Sequence, residues 1–275
     1  MLTATLGMLL SAATAFADSP DTQPTSTVQV QAARLTEAIA IDGVLSEAVW
    51  QNGSGISQFK QRDPNENAEP TEKTVVHVAY DDAALYVAAR MFDSAPDSII
   101  ARLGRRDANL TSDMFGFFVD PYYDRRSGFY FFLNAAGTMY DGVLYNDEWD
   151  DDSWDGVWEG KVKIDEQGWT AEMRIPYSQL RFPKRDEHVW GINFTRTIQR
   201  RNEEDYFVMV PKKESGFVSH FADLKGIQNI QPPRHIEILP YVVGRAEYVQ
   251  TAPGNPFHDG SKFLRNFGAD AKIGL

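Results

Sequence analysis

The 275-residue sequence contains no cysteine, which excludes a disulfide framework, thiolate zinc sites and a cysteine nucleophile. Histidine is scarce. The five residues at 77, 188, 220, 235 and 258 show neither H-x-H nor H-E-x-x-H spacing, so a histidine-based metal centre has no foothold. Positive charge is in the minority: 27 Lys and Arg stand against 39 Asp and Glu. A net charge of -12 argues against attraction to nucleic-acid phosphates or anionic lipid, and toward cations and neutral ligands. No apolar helical period survives three turns, and no G-x-S-x-G elbow, P-loop, dinucleotide fingerprint or zincin motif occurs. Apolar and aromatic residues are abundant, at 43% and 12%, enough to fill a folded core.

Residues 1–17 are mostly small or apolar and close on Ala15-Phe16-Ala17, a small-x-small cleavage pattern that reads as a secretory signal peptide, although no Lys or Arg precedes Arg34. The polar residues 18–27 read as a flexible leader. From 28 to 230, strand-type runs alternate with turn residues. The clearest run is Trp169 to Ile175, where Trp169, Ala171, Met173 and Ile175 form a core face and Thr170, Glu172 and Arg174 a wet one. Further strands are expected over 74–80, 85–92, 115–120, 128–134, 138–145, 157–164, 189–197 and 206–210, with single helical turns over 45–50 and 177–180. This pattern predicts an all-β fold, a two-sheet antiparallel β-sandwich. Trp50, Trp169 and Trp190 fall in phase with apolar neighbours and are expected in the core. Arg125-Arg126, and Arg200-Arg201 with Glu203-Glu204, are expected as solvated turn charges, with Asp124 as a local turn acceptor.

At Gln231-Pro232-Pro233-Arg234 the composition shifts to a stiff joint. Residues 231–275 then hold two longer runs, 235–250 and 263–275, weakly dyad-patterned as in outer-membrane barrel strands. The smallest such barrels have about eight strands, so two or three cannot close one. The tail reads either as the first strands of a truncated outer-membrane β-barrel or as an extra edge hairpin.

The densest polar cluster is Asp147-Glu148-Trp149-Asp150-Asp151-Asp152-Ser153-Trp154-Asp155-Gly156. Like charges at this density repel unless a cation or solvent screens them, and calcium takes several hard oxygens from one flexible loop. Asp147, Asp150, Asp151 and Asp155 are the candidate ligands, against the alternative of a solvated acidic turn. The stretch from Asp151 begins like an EF-hand loop, but Val162 stands where the bidentate Glu belongs, which excludes that motif.

Four segments carry a family resemblance. Ile41-Asp42-Gly43 with Glu47 and Trp50, Val76 to Asp82 followed by Leu85-Tyr86-Val87, Ser112-Asp113-Met114-Phe115 to Asp120-Pro121, and Gly168-Trp169 with Glu172 and Ile175-Pro176 resemble, in order, segments of the family 9 carbohydrate-binding modules. Asp120 to Gly128 and Trp154 to Glu159 are similar to bacterial proteins of unassigned function in which such a module precedes an outer-membrane barrel. The resemblance implies a sugar held between two tryptophans near loops at one end of the sandwich, with carboxylate, amide and guanidinium groups on its hydroxyls. By motif position Asp113 and Asn134 are the implied polar partners, with Arg102 or Arg105 beside them. The sequence departs from the family at the stacking pair: no Trp lies between Ile99 and Asp113, and the 212–219 loop offers only Phe217. Trp149 and Trp154 are the candidates to replace it.

The expectation is an exported binding module at the periplasm or outer membrane of a Gram-negative bacterium. It would recognise a glycan or its reducing end, stabilised by calcium, in polysaccharide uptake or breakdown. Two alternatives stand beside it. One is a glycoside hydrolase, for which a carboxylate pair such as Asp120 and Asp141 can be proposed. The other is a plug or partner-docking domain for the barrel, without sugar binding.

Overall fold

The computed structural model describes residues 28–53, 55–232, 236–248 and 261–273. The expected signal peptide and leader, and residues 233–235 of the Pro-Pro joint, lie outside them. The strands are β1 (Gln29–Gln31), β2 (Ala33–Arg34), β3 (Lys60–Asp63), β4 (Thr74–Tyr80), β5 (Ala84–Phe92), β6 (Met114–Asp120), β7 (Gly128–Asn134), β8 (Met139–Tyr145), β9 (Trp149–Asp151), β10 (Glu159–Asp165), β11 (Gly168–Pro176), β12 (Glu187–Ile198), β13 (Glu203–Tyr206), β14 (Ala222–Gln228), β15 (Ile236–Tyr248) and β16 (Ser261–Ile273). A nine-stranded sheet runs β1-β14-β12-β6-β7-β8-β9, with β13 against β12 and β3 against β13; a five-stranded sheet runs β10-β11-β5-β4-β2. The all-β, sandwich-like architecture follows. The expected helical turns are the short helix Ala48–Asn52 and a 3-10 turn at Tyr177–Gln179.

Alternation of side chains fixes which faces meet. Val76 and Val78 of β4, Leu85, Val87, Ala89 and Met91 of β5, and Trp169, Ala171, Met173 and Ile175 of β11 oppose Phe115, Phe117 and Val119 of β6, Phe131 and Leu133 of β7, and Trp190, Ile192 and Phe194 of β12. Two pairings depart from a purely antiparallel plan, because β1 joins β14 and β2 joins β4 in parallel. The N-terminal segment crosses from one sheet to the other at Ala32 and enters each as an edge strand, reached through long connections that permit parallel pairing. It carries too few residues for alternation to announce it. The strand expected over 206–210 lies instead at β13, where Glu203 accepts from Thr71 and Asp205 is buried with neither carboxyl oxygen hydrogen-bonded among the described residues.

The face of β11 expected to be wet is covered. Glu172 is buried and accepts from the amides of Asp42 (3.1 Å) and Gly43 (2.8 Å) and from the Trp50 indole (3.0 Å), while the Thr170 hydroxyl donates to the Gly43 carbonyl (2.6 Å). Gly43 has φ +82°, and a Cβ there would meet the Val162 backbone at 2.9 Å. Residues 35–50 thus close over Ala79, Ala84, Tyr86 and Ala88 as a second apolar layer around Trp50.

Of the charges expected in solvated turns, Arg126 is exposed, Arg200, Arg201 and Glu204 are half-buried, and Arg125 and Glu203 are internal. Arg125 is 5% exposed, pairs with buried Asp223, donates to the Phe221 carbonyl (2.5 Å) and lies 4.3 Å above the Tyr123 ring centre. Asp124 does accept locally, from the Arg126 and Ser127 amides at 2.8 Å each. Arg200 pairs with Asp93 (2.6 Å), Arg201 with Glu72 (2.8 Å), and Glu203 accepts from the Thr71 amide and hydroxyl (2.7 Å each). Arg125 and Glu203 go inside because each finds a partner whose absence would leave a costly desolvated charge.

The last two strands form an antiparallel ribbon in which Val242 faces Phe267, Gly244 faces Arg265 and Ala246 faces Phe263. Pro240, Val242, Ala246, Phe263, Arg265, Phe267 and Ala269 share one parity, against Tyr241, Val243, Arg245, Glu247, Lys262, Leu264 and Asn266 on the other. Val242 and Phe267 are 84% and 88% exposed.

Burial, reinforced by Glu203 and opposed by Arg196, pushes the Asp205 carboxyl up to about 8. A folded-state value above the unfolded one means that the native state holds this proton more tightly. The stabilisation is complete below about pH 4 and is lost as pH rises through about 8. Asp205→Asn, permanently neutral, is expected to remove that loss, so wild type should fall relative to the variant by a few kcal/mol between these limits in denaturant melts run across pH.

Candidate functional site

The central strands of the large sheet are aromatic on both faces. While Phe115, Phe117 and Phe131 point into the core, the register sets Phe118 beside Tyr130, Gly116 beside Phe132, Phe132 beside Tyr140 and Tyr130 beside Gly142 on the outer face. The two glycines make room. A Cβ at Gly116 would collide with the Phe132 ring, and one at Gly142 with the Tyr130 ring, so each ring occupies space over its neighbouring strand. A cleft of about 860 Å³ opens above this floor, walled by residues 107–110 on one side and 214–217 on the other. Phe217 closes one end, edge-on to Phe118 (4.8 Å between ring centres) and to Tyr206 (6.1 Å).

The acidic segment builds the wall in three separate ways. Asp147 accepts from the amides of Phe217 (3.0 Å) and Ser219 (2.8 Å) and from the Ser219 hydroxyl (2.8 Å); burial pushes its carboxyl up, but these donors outweigh that and hold it below the usual range. Glu148 accepts from the Gly216 amide. Asp150 and Asp152 line the cleft, while Asp151 accepts from the Ser153 amide (2.9 Å). Asp155 turns to Arg106 (3.5 Å), whose guanidinium also reaches Asp107 (3.6 Å) and donates to Asp141 (2.8 Å). The carboxylate oxygens of Asp107, Asp141 and Asp155 converge within 4.8 Å. Of the four residues expected to share a calcium ion, Asp147 and Asp155 are therefore committed to different places, and the three-carboxylate grouping draws only Asp155 from them. The Tyr130 phenol, on the cleft floor, is pushed well up by burial and then by the carboxylates of Asp150, Asp152, Asp107 and Asp141.

The residues selected for sugar binding separate likewise. Asp113 is buried and accepts from the Gln199 amide (3.0 Å). Asn134, also buried, accepts from the Ala136 and Thr138 amides and donates to the Arg102 carbonyl (2.7 Å), so it shapes the β7–β8 turn; the Arg102 backbone is tied to that turn and its side chain is exposed. Trp149 is 59% exposed and edge-on to Tyr145 (5.7 Å), apart from the cleft lining. Trp154 packs against Phe129 (5.2 Å) and Phe131 (6.2 Å) and lines a second cleft, of about 710 Å³, with Tyr122 and Arg181. Phe217 does line the aromatic cleft, together with Tyr130, Phe132 and Tyr140, which the sequence reading passed over. Their signal is the unbroken aromatic run Phe129-Tyr130-Phe131-Phe132, in which a core-facing strand needs only every second ring.

Replacing Trp149 by Ala is expected to leave the melting free energy within about 0.5 kcal/mol, whereas Trp154→Ala is expected to cost about 2–3 kcal/mol through lost packing on Phe129 and Phe131. Chemical denaturation of the two variants checks both.

No curated protein sequence matches the chain. Among solved structures, a carbohydrate-binding module of family 9 from Caldicellulosiruptor kristjanssonii in complex with cellotriose is similar with a TM-score of 0.51 at 17% identity, covering 74% of this chain and all of that one. The same holds for a complex with glucose from that organism (TM-score 0.51, 18% identity, 74% and 100% coverage). A Bacteroides uniformis protein assigned as carbohydrate-binding aligns with a TM-score of 0.56 at 14% identity, over 72% of this chain and 98% of that one. At these identities the likeness shows the fold. The family described as carbohydrate family 9 binding domain-like matches residues 41–209, more than half of the sequence and all of the strands that build the cleft floor, and the chain belongs to that family.

Proposed function

We propose that this protein binds glycans in the aromatic cleft of its large sheet and performs no chemistry on them. The observation that carries the reading is the floor. Tyr130, Phe132 and Tyr140 offer ring surface between two loops, and ring faces are what the C–H side of a pyranose stacks on, while surrounding carboxylates accept from its hydroxyls. Family membership supports it, as do relatives of the same fold that bear cellotriose and glucose. The proposed ligand is an oligosaccharide or its reducing end. A hydrolase reading is less well served: Asp120 is committed to the Tyr123 and Arg125 amides (2.6 and 2.8 Å) and Asp141 to Arg106 and the Gly156 amide, so neither is free to act as acid or nucleophile.

The proposal sets the protein outside the cytoplasm, at the periplasmic side of an outer membrane, in polysaccharide uptake or breakdown. Residues 1–17 carry the features of an export signal. The face of β15–β16 that carries Val242, Phe263 and Phe267, exposed and interrupted only by Arg265, supports the reading of lipid-facing barrel strands, and the same face supports a docking role as the second reading. Calcium enters the proposal at Asp107, Asp141 and Asp155, where hard oxygens converge but Arg106 already supplies one positive charge; an ion there has to displace that guanidinium.

Calorimetric titration with cello-oligosaccharides, native and with reduced ends, is expected to give binding that weakens on reduction and falls by about ten-fold or more in Tyr130→Ala and in Phe132→Ala. Absence of heat with every sugar would turn the reading to docking. Chelator is expected to lower the melting temperature, since an ion that prefers the native state stabilises it; an unchanged melt removes calcium.

A further inference from the structure

The aromatic cleft carries more negative charge than a neutral sugar requires. Glu148, Asp150, Asp152 and Glu214 line it, and none of the four joins an ion pair among the described residues. Arg62 is the one basic side chain in the lining, and Asp107 and Asp141, which also line it, are engaged by Arg106 together with Asp155. Four carboxylates against one guanidinium leave a net repulsion, and a ligand that brings positive charge relieves it where a neutral one cannot. The negative potential reaches the floor, where the Asp150 and Asp152 carboxylates add to burial in making the Tyr130 phenol harder to ionise. Ring faces act in the same sense, since a cation above an aromatic ring is attracted by its quadrupole.

Resting on the glycan reading above, we propose that the cleft selects a cationic glycan: an oligosaccharide bearing free amino groups, its ring faces over Tyr130 and Phe132 and an ammonium among Glu148, Asp150 and Asp152. The two parts divide the labour. The rings recognise a pyranose of any charge, and the carboxylates distinguish an amine from the hydroxyl or acetamide that would otherwise occupy its place.

The test is calorimetric titration of the full chain, in chelator and at a pH where sugar amines are protonated, with three tetrasaccharides: the glucosamine tetramer, its fully N-acetylated counterpart and cellotetraose. The glucosamine tetramer is expected to bind about ten-fold tighter than the other two at low salt, the advantage shrinking at about 0.5 M salt as exposed charges are screened. In the double variant Asp150→Asn, Asp152→Asn the ratio between glucosamine tetramer and cellotetraose should move toward one. Both side chains are exposed, so the fold is expected to survive, as an unchanged melt verifies. Equal or tighter binding of cellotetraose overturns the charge preference and leaves the glycan reading standing. A glucosamine preference that persists in the variant and in high salt overturns the assignment to these carboxylates. Binding of none of the three overturns this proposal and the glycan reading together.

Discussion

One buried carboxylate organises the outer side of the small sheet. Glu172 sits in the middle of β11, where an unpartnered charge would be prohibitive, and it takes two backbone amides from Asp42-Gly43 and the indole N–H of Trp50. Those three donors lie eight residues apart at most, so satisfying the charge fixes the whole 42–50 segment against the sheet. Burial pushes the carboxyl up on balance, and the Gly43 and Asp42 amides pull it only part of the way back, so backbone dipoles rather than a counter-ion answer this group. Once this segment is seated, the apolar side chains around Trp50 cover Ala79, Ala84, Tyr86 and Ala88, and the outer face of β4 and β5 is enclosed.

Covering the small sheet leaves the large one to offer a cleft. There the aromatic residues are in surplus: alternate rings fill the core and the remainder lie outward, so packing and recognition draw on the same strands without competing for the same faces. The acidic segment after β8 supplies the contrast. Asp147 spends its charge on the Phe217 and Ser219 amides and thereby fixes the wall that carries Phe217, while Asp150 and Asp152, two residues apart, present theirs to the cleft. A run of carboxylates that looks uniform in sequence thus divides into a loop lock, an arginine clasp and a charged rim.

The strand pattern was legible because alternation is local. The Trp169 to Ile175 run and the runs at 74–80 and 128–134 match their strands nearly end to end. What alternation does not encode is what covers a face. Glu172 and Thr170 look solvent-facing in the sequence, and only the return of residues 42–50 buries them. The same limit applies to Arg125 and Arg200, whose partners Asp223 and Asp93 are about a hundred residues distant in the chain. For the site, motif positions pointed to Asp113 and Asn134, both short polar side chains that turn out to cap backbone amides, of Gln199 just past β12 and of Ala136 just past β7. Tryptophan drew attention to the acidic loop, whereas the rings on the cleft floor are tyrosine and phenylalanine flanked by glycines, a combination whose meaning depends on cross-strand register.

Those glycines have a consequence for how such a surface changes over time. Because Gly116 and Gly142 set how low the Phe132 and Tyr130 rings can sit, the depth of the cleft is governed by residues that never touch a ligand. A single methyl group at either position would lift a ring and make the floor shallower, while every aromatic and every charge remained in place. Divergence in ligand shape can therefore begin in the backbone beneath the platform, and two relatives with identical rings and rims need not accept the same molecule.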